Sequence, residues 1–167
     1  MCDPVSEPLK HSTEQIFIRF VAGPPLIAPS SPEKINETTR FVWNVLTGKD
    51  LANAGLGTAY PGYVDVRDVG RMFVFAVDHP DITNGERYLG SAGYGPPQAV
   101  ADILRKAYPD RKDIIQEGKP GTGYFPYYRY PAKVSWDGSK TTNVMGLKYI
   151  PFDQIVLDTA RVFEAFL

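Results

Sequence analysis

The stretch YVDVRDVGRMFVFAVDHP, residues 63–80, leaves the chain little choice in how it folds there. It reads as a short strand that runs directly into a helix. Asp65 can cap the N–H groups of a helix beginning at Val66, and Asp68 stands where the helix dipole favours negative charge. Val66, Val69, Phe73, Ala76 and Val77 follow the spacing of a buried face, and His79-Pro80 ends the helix.

The rest of the chain is punctuated in the same way. IFIRFVAG (16–23) is an apolar, β-branched run and reads as a buried strand that GPP terminates. The segment from Ser31 to Gly48 predicts a helix with Ser31 as N-cap, Pro32 at its first position and Glu33 in its first turn. Ile35, Val42 and Leu46 would share its inner face, flanked by Phe41 and Val45, and Gly48 suits the left-handed residue beyond its end. Asn84-Gly85 turns the chain into ERYLGSAG, a strand candidate. A helix follows from Pro96-Pro97 to Pro109, with Val100, Ile103, Leu104 and Ala107 as its stripe. Ser139–Met145 predicts a short helix closed by Gly146, and Phe152–Phe166 a last one with Phe152, Ile155, Val156, Phe163 and Phe166 inward. Strands alternating with helices indicate an α/β architecture.

Charge and cysteine content exclude several function classes. With 18 basic and 19 acidic residues the net charge is −1, so no field favours a nucleic-acid or anionic-membrane partner. Cys2 is the single cysteine, which removes an internal disulfide and a cysteine-based zinc cluster. No apolar run approaches the length of a membrane span and MCDPVSEPLK lacks the apolar core of a signal peptide, so a cytoplasmic location is the expectation. His11 and His79 have no ligand spacing, and no metal site is expected.

Ten Tyr and nine Phe, with 15 Pro and 15 Gly, point to ordered loops between the elements. GTGYFPYYRYP (121–131) is either a loop pinned to the core by its rings or the wall of an apolar small-molecule pocket. Two motifs imitate cofactor chemistry. Gly55-Leu56-Gly57 opens like a dinucleotide fingerprint, but no glycine follows three residues later and no strand precedes it. Tyr108 and Lys112 form the chain's one Tyr-x-x-x-Lys, yet Pro109 bars a regular helix through the pair. Arg67, between Asp65 and Asp68, has an ion-pair reading and a cleft-facing reading.

VAGPPLIAPSSPEKINETTRFVWNVLTG, YVDVRDVGRMFVFAV, ERYLGSAG and DGSKTTNVMGLKYIPFDQIVLDT follow one another in this order. Together they resemble the C-terminal half of an extended short-chain dehydrogenase/reductase, of the NAD-dependent epimerase/dehydratase family. The branch they are most similar to is the fungal NADPH-dependent ketone and aldehyde reductases, relatives of dihydroflavonol and cinnamoyl-CoA reductases. The resemblance covers residues 20–167. Residues 1–19, an irregular segment with the start of a strand, carry no match.

The resemblance implies a fold: the substrate-binding portion of a Rossmann-type reductase, without most of the parallel sheet. It implies NADPH as cofactor, a small apolar carbonyl compound as substrate and a place in secondary metabolism. In such reductases a glycine-rich turn holds the dinucleotide, and a Ser, a Tyr and a Lys deliver the proton; all of these precede the matching part. No catalytic residue is therefore expected in this chain, and activity is expected only with cofactor machinery supplied by an N-terminal Rossmann half. By resemblance, Gly23 and Pro24 would border nicotinamide and substrate. Tyr63, Arg67, Tyr124 and Phe125 would line the substrate side. The alternatives are a non-catalytic binding or regulatory module, or a decayed remnant. Strands without their sheet neighbours would expose unpaired edges, so a marginal or homo-oligomeric chain is expected.

Overall fold

In the computed structural model of the protein, residues 15–18, 21–49, 51, 62–121 and 136–167 are described. The apolar run that opens the sheet divides into two short strands, β1 (Gln15–Ile18) and β2 (Val21–Ala22). Each finds a parallel partner further along the chain. β1 pairs with β4 (Arg87–Gly90), and β2 pairs with β3 (Val64–Asp65) in a register that sets Ala22 beside Asp65. Parallel partners require crossover connections, and helices supply them.

The first helix, α1 (Glu37–Leu46), begins later than its sequence predicts. Ser31 and Pro32 start a single 3₁₀ turn over Pro32–Lys34 instead. Arg40 reaches back to take the carbonyls of Pro32, Glu33 and Ile35, so these carbonyls have no need of an α-helical partner. Asn36 is the N-cap: its Oδ1 accepts from the Thr39 N–H at 3.0 Å and from the Thr39 hydroxyl at 2.6 Å. Gly48, just past the end, has φ +85°, as its place demands.

β3 runs without a loop into α2 (Val66–Asp78), and Asp65 Oδ1 accepts from Arg67 N–H at 2.8 Å as the predicted cap. The buried face of α2 is a correction to the sequence reading. Asp68, Met72 and Ala76 face inward, while Phe73 and Val77 are 51% and 73% exposed. A short α3 (Pro80–Thr83) follows, and the Thr83 hydroxyl donates to Ala76 O and His79 O.

The remaining helices are α4 (Pro97–Ala107), α5 (Ser139–Met145, closed by left-handed Gly146) and α6 (Phe152–Phe163). A 3₁₀ turn over Glu164–Phe166 ends the last helix three residues earlier than its periodicity suggested. α1, α4 and α6 pack on one another around Val42, Leu46, Val100, Leu104, Ile155 and Phe163. Trp43 sets its edge against Phe163 and Phe166, at 5.9 and 6.2 Å between ring centroids.

The two edges of the β1–β4 sheet differ. Leu89 O, in β4, accepts from the Thr141 hydroxyl at 2.8 Å and the Tyr149 hydroxyl at 3.4 Å. The turn at Gly138 lies so close to Ser91 O and Leu89 O that a Cβ there would be 2.6 and 3.2 Å from them. α5 and its flanks therefore close that side. Among the described residues, β1 has a partner on one side only.

Candidate functional site

A groove of about 350 Å³ opens where β2 ends. Its floor is Val21 to Gly23, one wall is Pro24 to Ile27, and Asn36, Thr38, Thr39 and Val66 complete it. At its rim Asn36 Oδ1 takes the Thr38 and Thr39 hydroxyls as well as the Thr39 N–H. The lining as a whole is mainly apolar. Leu26 and Ile27 are each 86% exposed, an unusual state for adjacent large aliphatic residues.

Gly23 is the tight point of this groove. Its φ is +103°, and a Cβ would sit 2.6 Å from Asp65 Oδ2. Only glycine both adopts that conformation and admits the carboxylate. Asp65 is fully buried, and burying its charge demands compensation. Arg67 supplies it, with Nε at 2.8 Å from Oδ1 and Nη2 at 2.9 Å from Oδ2. The guanidinium continues to Asp158 of α6, Nη1 to Oδ2 at 2.7 Å. Two carboxylates hold this cation firmly, and its pKa moves up, through its hydrogen bond to Asp65 first.

Of the six positions singled out in the sequence, Gly23 and Pro24 lie in the groove. Arg67 stands behind it, through Asp65. Tyr63 is buried in the core, 4.9 Å from Phe152 between ring centroids and bridged by backbone to Gly93. Tyr124, Phe125 and the rest of the aromatic segment 122–135 lie outside the described residues, as do His11, Cys2 and the glycines at 55 and 57. Asp158 was invisible in the sequence as a partner for Arg67, since 91 residues separate them. Of the other residues the groove uses, Val66 appears in the sequence only as part of a helix face, and Asn36 falls inside the helix predicted from Ser31 without being singled out.

The Tyr-x-x-x-Lys decoy is a helix end. Tyr108 follows the last turn of α4, and a 3₁₀ turn starts at Pro109. Its hydroxyl donates to Glu164 at 2.7 Å, and burial followed by that carboxylate pushes its pKa up to about 12. A proton-donating tyrosine of a reductase needs the opposite shift. His79 stacks on Phe75 at 4.1 Å, and no group of metal-binding side chains occurs among the described residues.

The chain is similar in sequence to several fungal reductases. The NADPH-dependent methylglyoxal reductase Gre2 of Saccharomyces cerevisiae is 32% identical over 143 residues, 84% of this chain and 40% of that protein. An oxidoreductase of Schizosaccharomyces pombe is 28% identical over 85% of this chain and 39% of its own length. Among solved structures, Gre2 of Candida albicans superposes with a TM-score of 0.70 at 25% identity, covering 94% of this chain and 45% of that one. Yeast methylglyoxal/isovaleraldehyde reductase Gre2, solved with NADPH, gives 0.69 at 25% identity over 92% of this chain and 46% of that one. The chain is similar to part of the Gre2-type reductases, in line with an extended short-chain reductase. The matches fall on the C-terminal part of the Gre2-type proteins, and the chain spans about two fifths of the length of the curated relatives it matches. No protein-family model matches it. The mixed fold with its short parallel sheet is that of the corresponding part of these Rossmann-type reductases. No helix of the described residues is long and apolar enough to cross a membrane.

Proposed function

We propose that the chain is the substrate side of an NADPH-dependent carbonyl reductase, with the groove at Gly23–Ile27 receiving the apolar part of a ketone or aldehyde. The observation that carries this reading is the groove itself: a mainly apolar cleft that runs past the left-handed Gly23 and is walled by the exposed Leu26 and Ile27. Kinship with NADPH-dependent Gre2 supports the reaction class.

The groove's chemistry fits one end of the cofactor better than the other. None of the residues lining it is cationic, Arg67 is engaged by two acids, and the start of α2 is already occupied by Asp65. The uncharged nicotinamide end can lie beside Gly23 and Pro24. The phosphates need donors that the described residues do not offer here. NADPH, when bound, supplies hydride to the carbonyl carbon; this chain's residues contribute the apolar wall and the shape of the floor.

A partner follows from the same reading. The open side of β1 would accept a further strand from a Rossmann half, and the exposed stripe of α2 and α3 (Phe73, Val74, Val77, Ile82) would lie under that half. Three facts support this: the sealed β4 edge, which leaves β1 as the side for growth; the apolar surface on both faces of α2; and the larger, unmatched share of each relative. Residues 20–167 are then the substrate-side unit, acting in the cytoplasm on secondary metabolites.

The test is NADPH consumption with isovaleraldehyde. The purified chain alone should give none, and the chain co-expressed with the unmatched N-terminal part of S. cerevisiae Gre2 should give turnover. Turnover by the chain alone would overturn the division of labour. Saturable carbonyl binding without turnover in either preparation would favour a binding module instead.

A further inference from the structure

The groove has an internal support that no sequence motif announces. Asp65 ends β3, and the parallel register places it beside Ala22, one residue before the left-handed Gly23. Its Oδ2 fills the space where any other residue at position 23 would carry a Cβ. The floor of the groove therefore rests on a carboxylate, and the position of that carboxylate is set by Arg67. Three of its hydrogen bonds come from this one residue: the backbone N–H and Nε to Oδ1, and Nη2 to Oδ2. At its far end the same guanidinium is gripped by Asp158 of α6, whose other oxygen accepts from Gln154 at 2.6 Å and Arg161 at 3.1 Å.

We propose that Arg67 is a positioning residue for the groove: it spans from Asp65, beneath Gly23, to Asp158 on α6, and so fixes the groove's floor relative to the helical layer. The proposal rests on the reading of the groove as a carbonyl site, but its geometry stands apart from it. A planar guanidinium presents donors along two edges at once, so it can hold one carboxylate through two bonds and reach a second. An ammonium cannot. The bridge matters to the groove because a fully buried carboxylate that loses its partner turns toward another donor, and that change moves the atom packed on Gly23. α6 is likewise held, packed on α1 and α4. A shift in its Asp158 is thereby transmitted to the turn that carries Pro24, Leu26 and Ile27.

An ion pair that only stabilises the fold would leave the groove unchanged when removed from a variant that still folds. The variants are Arg67→Lys, which keeps the charge and loses the span, and Asp158→Asn, which keeps the size and loosens the grip. Lys140→Gln, which breaks an exposed ion pair with Glu86 and touches neither carboxylate of the bridge, is the control. In ¹⁵N-labelled full-length chain, the backbone amide resonances of Val21, Ala22, Gly23, Leu26 and Ile27 should move in the first two variants and stay in place in the control. Titration with 4-methyl-2-pentanone, an unreactive apolar ketone, should show its affinity weakened several-fold in the same two. Unmoved groove amides in a folded Asp158→Asn protein would overturn the proposal, as would equal movement in the Lys140→Gln control. Should Arg67→Lys fail to fold, Asp158→Asn decides alone. Should the ketone bind none of the proteins, the carbonyl reading of the groove falls while the amide shifts still judge the bridge.

Discussion

In the layer built by α1, α4 and α6 the large apolar side chains meet one another and leave the surface, whereas on α2 they emerge on both sides of the helix. Phe163, Leu104, Ile155 and Val156 are fully buried in one continuous cluster. Val64, Met72, Ala76 and Tyr88, beneath α2, are buried too but form no part of that cluster. Opposite them, Phe73, Val74 and Val77 stand half-exposed or more. A helix that is apolar all round belongs between two layers. Among the described residues one layer is present and the other side of α2 is exposed, beside a strand with a single partner. The difference, among the described residues, is between one continuous core and one helix face left apolar and exposed, the face that the proposed partner would cover.

The largest effect that could break this comparison is in the helical core. Phe163→Ala should cost about 3–5 kcal/mol, since it removes a fully buried ring from among Trp43 and its neighbours. Met72→Ala, beneath α2, should fall toward the lower part of the roughly 2–5 kcal/mol range for such truncations, because the thinner packing there can relax. Urea unfolding of the two variants measures both. Equal losses would mean that the region under α2 is as complete as the helical layer.

That region is also where sequence and structure part company, and the reason is physical. α2 carries two apolar stripes that share the buried Ala76, the predicted one through Val66, Val69, Phe73, Ala76 and Val77 and another through Met72 and Ala76. Periodicity favours the richer stripe. The fold buries the poorer one, since Met72 meets Gly90 of β4 and Asp68 reaches the backbone before α6. A pattern reports which faces are apolar, not which of two apolar faces the rest of the chain happens to cover. Capping was read more reliably because it is local: Asp65, Gly48 and Gly146 each act within a few residues of their own position. Even so, the start of α1 shifted from Ser31 to Asn36, because Arg40 diverts the early carbonyls. At the groove, Gly23 and Pro24 were legible through resemblance. The Asp158 arm of the Arg67 bridge, assembled across 91 residues, was not.

Next in size is Asp68, the buried acid at the junction of the two regions. Its Oδ2 accepts from the Ile150 N–H at 2.9 Å, while Oδ1 lies 2.6 Å from Arg71 with no donor aligned on it. Asp68→Ala should cost about 1–3 kcal/mol, because Ile150 N–H is left without its acceptor. Asp68→Asn keeps an acceptor and should cost less. Burial raises the Asp68 pKa above its ordinary 3.8. A raised carboxylate favours folding most when protonated, so its contribution is full below 3.8 and is lost as pH rises through the raised value. The stability of wild type relative to Asp68→Asn should therefore fall with rising pH in the acid range. A difference that is flat, or that grows, would contradict the burial reading.

A smaller effect marks the end of the helical layer. Tyr108 binds Glu164 and its pKa is pushed from 10.0 up to about 12. The sign is that of a group whose neutral form is held by the fold: its contribution is complete below pH 10 and disappears as pH climbs through about 12. Tyr108→Phe should lose that alkaline-sensitive component and lower stability slightly at neutral pH, read by denaturant melts at several alkaline pH values.

The smallest expected change in stability is on the open face of α2, and it is the sharpest test of the comparison. Phe73→Ser and Val77→Ser remove apolar groups that are 51% and 73% exposed in this chain, so each should shift its stability by no more than about 0.5 kcal/mol. Their effect belongs to assembly. In co-expression with the N-terminal part of Gre2, the same two substitutions should reduce recovered complex and NADPH turnover, while the helical layer melts as before. If instead either substitution unfolded the isolated chain, the face would already be covered from within, and the surface assigned to a partner would be an ordinary part of this chain's own core.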